Sequence, residues 1–209
     1  MKIITISREF GSGGRELGKR LADELGIAYY DKEVISAVAK KNALDENYVD
    51  QALEKDFFRT SPMNFGNTFS YIPSLPYDAS HLFIEQQKMI RELAAKGDCI
   101  IVGKNADTVL EQEKPFKIFV YADMKSKIAR CKRRAPEDEK LTDREMEKKI
   151  RQVDKARANS HALLADLPWG DKRGYDLCVN TTDVWIKDIV PLVAEYARKW
   201  FEVRDYSQD

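Results

Sequence analysis

Cysteine is scarce: Cys99, Cys131 and Cys178 are the three in the chain, far apart and never spaced as a CxxC pair. That spacing argues against a zinc site or a disulfide framework and fits a reducing compartment. Net charge is also missing. Lys plus Arg (35) equals Asp plus Glu (35), so no global basic field points to nucleic acid or to a membrane surface. An anionic ligand must then be held by local clusters of positive charge. Long hydrophobic runs are absent as well, none approaching the roughly 20 residues needed to span a bilayer. The opening Met1-Lys2-Ile3-Ile4-Thr5-Ile6 is too short and too soon interrupted to read as a signal peptide. These absences predict a soluble, cytoplasmic protein. Its 43% hydrophobic and 33% charged residues are those of an ordinary globular chain with one good core.

Along the chain, apolar runs alternate with helical patterns. Lys2 to Ile6 reads as a strand buried on both faces. Leu17, Leu21 and Leu25 then mark an amphipathic helix, stopped by Gly26. A second strand is expected over Ile27 to Tyr30, and Asp31 is placed to cap the helix through Val34, Ile35, Val38 and Ala39. A helix from about His81 ends near Gly97, and the runs 99–102, 116–121 and 175–179 read as further strands. Val184 to Phe201 reads as the closing helix. Cys99 and Cys178 fall inside apolar runs and are expected in the core. Alternating strands and helices predict an α/β fold with a parallel sheet and right-handed crossovers.

Residues 42–80 differ in character. Proline, glycine and asparagine are frequent there, with Phe57, Phe58, Phe65, Phe69, Tyr71 and Tyr77 among or beside them. Such a long loop is functional, mobile, or an Ω-like excursion packing its own aromatics.

Chemistry is concentrated in the turn after the first strand, Arg8-Glu9-Phe10-Gly11-Ser12-Gly13-Gly14-Arg15-Glu16. A strand, a glycine turn and a helix together aim backbone N–H groups and a helix N-terminus at an anion. The alternative is a tight turn that binds nothing. The dinucleotide fingerprint GxGxxG would need glycine at position 16, where Glu16 stands. The phosphate-loop pattern GxxxxGK[ST] fits in spacing but not in side chains. Arg8 falls on the first glycine, Gly13 on the second, Gly14 on the lysine and Arg15 on the Ser/Thr. Lys19 lies a full turn too far along the helix to replace the lysine, which leaves Arg15 as the substitute. An arginine in the first helical turn is unfavourable unless an anion is present.

Taken from Ile6 through Glu16, and on through Tyr29-Tyr30-Asp31-Lys32-Glu33-Val34-Ile35, the sequence resembles the divergent branch of the cytidylate kinase-like family. The resemblance extends almost to the C-terminus and is weakest over 42–80. It implies a three-layer P-loop kinase fold over 1–209, with a five-stranded parallel sheet, an acceptor-binding insertion at about 42–80 and a helical lid at about 124–170. Gly11, Ser12, Gly13, Gly14, Arg15 and Glu16 would then hold the phosphates of ATP, with Arg130 and Thr181 completing that site. Asp31, Lys104 and Asp154 would serve the acceptor. Arg15, Lys104 and Arg157 would be the catalytic cations, with Asp154 and Arg157 forming an Asp-x-x-Arg lid signature. Lys104 stands where the family has arginine, keeping charge but losing the bidentate fork.

The implied activity is ATP-dependent phosphoryl transfer, with Mg²⁺, to a nucleoside monophosphate, CMP-like first. No residue is assigned to a metal, and the expected partners are small nucleotides. The other reading is a nucleotide-binding regulatory or sensor protein that has lost catalysis. Without the resemblance, Lys125 to Arg157 would read as a solvated, salt-bridged helix pair, and Arg133 and Arg134 are expected at its surface.

Overall fold

The computed structural model describes residues 1–46, 79–135 and 141–204. Most of the expected insertion, including the aromatics from Phe57 to Tyr77, lies outside the described residues.

Five strands form one parallel sheet: β1 (Ile3–Arg8), β2 (Ala28–Tyr30), β3 (Cys99–Val102), β4 (Phe116–Tyr121) and β5 (Leu177–Asn180). Their order is β2-β3-β1-β4-β5, so β1 is central. It pairs Ile4 with Ile100 on one side and with Phe116 on the other. A strand flanked on both edges and covered on both faces must be apolar throughout, and Ile3, Ile4 and Ile6 are all but inaccessible.

The period of two sorts β1 and β3 between two helical layers. Ile4, Ile6, Ile100 and Val102 pack with α1 (Gly14–Leu25) and α7 (Ile186–Val203). Ile3, Cys99 and Ile101 pack on the other face with Val34 of α2 (Glu33–Lys41) and Ile90 of α3 (Ala79–Ala94), and with the short α4 (Ala106–Val109). Gly18 lets α1 approach the sheet closely: a Cβ there would lie 2.8 Å from Val102 Cγ2. Two charged helices follow β4: α5 (Met124–Arg134), capped by Asp123 on Ser126 N, and α6 (Asp143–Ala162), which opens with a Thr142/Glu145 capping box. They occupy the region expected to form the lid. No helix among the described residues is long and apolar enough to cross a membrane.

Two expectations are corrected. Asp31 does not cap α2: Lys32 holds the cap position without a side-chain bond, because the Asp31 carboxylate faces two arginines instead. Cys178 is exposed rather than core. Its strand β5 is an edge strand, and Leu177 and Val179 take the core-facing positions, which turns residue 178 outward.

Candidate active site

The sheet's carboxyl edge gathers the site, where ligands bind in open α/β sheets. Leaving β1, the chain turns through Gly11 (φ 79°) and Gly13 (φ 87°), left-handed conformations that suit glycine. Gly13 is the N-cap of α1 and no side chain caps it, so the first-turn N–H groups are left to an incoming anion.

The carbonyls of this turn are engaged elsewhere. Arg157 donates to Arg8 O (2.9 Å), Ser12 Oγ to Glu9 O (2.8 Å), Arg130 to Gly11 O (3.3 Å) and Thr181 Oγ1 to Ser12 O (2.6 Å). Each donor holds a partial negative charge that would otherwise repel a phosphate. Arg130 also donates to the carbonyls of Thr181 and Val184. It thereby ties the glycine turn to the segment after β5.

An ion cluster fastens α5 and α6 beneath the turn. Lys127 Nζ, nearly buried, lies 3.0 Å from Glu9 and 3.4 Å from Asp154. Asp154 also accepts the Phe10 N–H at 2.6 Å. Burial raises its carboxyl above the usual aspartate value, against the opposing pull of Phe10 N–H, Lys127 and Arg157.

On the neighbouring strand edge, Gly103, Lys104 and Asn105 take three successive left-handed conformations (φ 74°, 58° and 55°). For a lysine that costs about 1 kcal/mol or more. Asn105 secures the turn by donating to Ser160 O and Oγ of α6. Lys104, Gln86, Trp169 and Arg157 line a cavity here. Gln86 is 3% exposed, and its Oε1 has no hydrogen-bond partner among the described residues.

The expected residues do not all meet in one place. Gly11, Gly13, Gly14 and Arg15 line a cavity over the glycine turn, together with Arg130 and Arg157. Lys104 lies in the adjacent cavity. Ser12, Thr181 and Asp154 act as braces of the turn, through the bonds just given. Glu16 is bonded to Arg20 at 2.8 Å and to Arg134. The Arg15 Nε rests 2.5 Å from Asp31, with its side chain more than half exposed. Arg134 is half-exposed and Arg133 lies over the Trp185 ring at 4.9 Å.

Sequence reasoning missed Arg8, Lys127 and Gln86. The Arg8 guanidinium lies 3.6 Å from Asp31 with 11% of its side chain exposed, and lines both cavities. Its signal was the charged residue on a position that the standard loop gives to glycine.

The family resemblance implies magnesium, but the turn is poorly equipped to grip it. The hydroxyl position is Arg15, Ser12 Oγ is turned onto Glu9 O, and the Glu9 carboxylate is bonded to Lys127 and to Ala122 N. Among the described residues no cluster of His, Cys, Asp or Glu could hold a metal. Any magnesium here would be held mainly by nucleotide phosphates and water.

The cytidylate kinase-like family matches residues 3–183. A cytidylate kinase from Lactococcus lactis subsp. cremoris (strain SK11) is 24% identical, across 94% of this chain and 97% of that one. Among solved structures, an uncharacterized protein from Eubacterium ventriosum ATCC 27560 superposes with TM-score 0.67 at 24% identity, covering 95% of this chain and 99% of the other. Shikimate kinase from Bacteroides thetaiotaomicron follows the same fold (TM-score 0.58, 15% identity, 94% and 98% covered). So does a gluconokinase from Sinorhizobium meliloti 1021 (0.55, 12%, 100% and 98%). The chain belongs to the cytidylate kinase-like family, and family and fold together point to phosphoryl transfer of the nucleotide or sugar kinase type.

Proposed function

We propose that the protein transfers the γ-phosphoryl group of ATP to a nucleoside monophosphate, CMP-like in its base. The observation that carries this reading is the pair of adjoining cavities. One lies over the glycine turn and the other beside Lys104, and Arg8 and Arg157 belong to both walls. Donor phosphates sit on the turn's N–H groups, with Arg15 at the rim, and the acceptor phosphate sits by Lys104. Transfer then needs positioning and positive charge on the phosphoryl oxygens, not a covalent protein group. Arg157 supplies such charge from α6. The Gln86 amide oxygen, buried and lacking a donor among the described residues, suits an exocyclic amino group on the acceptor base.

The second reading, a binding protein without turnover, has its own support. Gly14 and Arg15 replace the lysine and hydroxyl residue of the standard loop. Purified protein with ATP, Mg²⁺ and a panel of monophosphates separates the two. Kinase activity gives acceptor-dependent ADP, with CMP ahead of UMP. Nucleotide binding by calorimetry with no ADP above background would leave the sensor reading.

A further inference from the structure

A standard phosphate loop ends its strand with glycine and opens its helix with lysine. In this chain Arg8 ends β1 and Gly14 opens α1. The two changes form one steric unit. A Cβ on Gly14 would lie 2.5 Å from Arg8 Cβ and 3.0 Å from Arg8 Cγ, which packed side chains do not tolerate. The Arg8 stem therefore fills the space in which a residue-14 side chain would begin.

The far end of Arg8 is equally confined. Its guanidinium packs against Gly103, so that any Cβ there would collide with it. It reaches the wall between the two cavities, beside Arg157. Asp31 faces both Arg8 and Arg15, so one buried carboxylate answers two guanidiniums, that of Arg8 buried and that of Arg15 more exposed. Burial and the repulsion of Arg157 and Arg15 pull Arg8 down to about 9, with Asp31 pulling the other way. An anion placed between Arg8 and Arg157 would relieve that excess charge.

We propose that Arg8 replaces the absent loop lysine, reaching the phosphoryl group in flight from the end of the strand instead of the start of the helix. This rests on the kinase reading above. An acceptor phosphate oxygen attacks the γ-phosphorus, and the new P–O bond forms as the bond to the β,γ-bridging oxygen breaks. That oxygen leaves on ADP with the electron pair. Arg8 stays charged throughout and moves no proton.

The test is a swap. Arg8→Met keeps much of the volume and removes the charge; it lowers kcat about a thousandfold, the scale of a transition-state arginine, with circular dichroism unchanged. Arg8→Lys keeps charge without the fork and retains more turnover than Arg8→Met. Gly14→Lys alone melts well below the native protein, because its Cβ meets Arg8. The double variant Arg8→Gly with Gly14→Lys relieves the clash and recovers at least about tenfold in kcat over Arg8→Gly, as coupled sites do. Arg8→Met turnover within about threefold of native, a small effect on the scale of transition-state charges, would overturn the assignment, as would no recovery in the double variant. If the native protein turns over no acceptor, the kinase reading fails and inorganic pyrophosphate decides the fate of Arg8. Loss of its thermal stabilisation in Arg8→Met supports the anion contact, whereas an unchanged shift removes it.

Discussion

Asp154 accepts the backbone N–H of Phe10 at 2.6 Å across 144 residues of sequence, fastening α6 to the first bend of the glycine turn. The same carboxylate faces Lys127, which is nearly buried and bridges to Glu9. Asp154→Ala therefore strips an acceptor from Phe10 and a counter-charge from Lys127. A loss of about 2 to 4 kcal/mol in urea unfolding is expected, the range for breaking a buried, charge-assisted contact. Asp154→Asn keeps an oxygen for Phe10 and loses less. Equal losses for the two would show that the charge, and not the hydrogen bond, holds the turn.

The raised Asp154 carboxyl gives that comparison a pH signature. The folded protein holds this proton more tightly than the unfolded chain does. Its contribution is fully present below the ordinary aspartate value of 3.8 and is lost as pH rises through the higher folded value. Asparagine at 154 does not titrate. The stability of the native protein relative to Asp154→Asn should thus fall from pH 3 to pH 7, measured by urea unfolding. A flat difference would mean that Lys127 and Phe10 fully offset the burial.

Gln86 tests base recognition. Gln86→Leu removes the buried Oε1 and leaves the cavity's cations in place. For an amino-bearing acceptor such as CMP, kcat/KM should fall about ten- to a hundredfold, the cost of a lost specific hydrogen bond, while UMP changes little. Initial rates with the two acceptors decide it. Parallel losses would place Gln86 away from the base.

Thiol reactivity should follow burial. Cys178 is exposed, Cys131 half-buried and Cys99 buried, and burial pushes the Cys99 thiol up to about 11. Titration with a chromogenic disulfide should therefore modify Cys178 first and Cys131 more slowly, with Cys99 reacting only on unfolding. Rapid loss of all three in the native protein would contradict this packing.

Local sequence was enough where a segment's fate was local. The apolar runs at 99–102 and 116–121 became β3 and β4 at those limits, and Gly26 ends α1 in a left-handed conformation. Side chains whose partners are remote were not legible. Asp31 looks like a helix cap, but the strand order puts it beside Arg8 and Arg15. Arg8 aligns with a glycine, and only β1 pairing with β3 sets it against Gly103. Lys127 sits in a charged helix that reads as solvent-facing, yet its side chain lies between Glu9 and Asp154. Ser12 and Thr181 look like ligand contacts in the sequence; in the fold their hydroxyls also brace the turn, Ser12 on Glu9 O and Thr181 on Ser12 O and Tyr121 O.

The central place of β1 also sets the order of assembly. β1 has no sheet neighbour until β3 emerges more than 90 residues later, and its second neighbour, β4, comes later still. The side chains that fasten the glycine turn, Arg130, Asp154, Arg157 and Thr181, follow both strands. Closing such long loops before any contact rewards them slows folding. The phosphate cradle, though its turn directly follows β1, is complete only once Thr181, after β5, is in place.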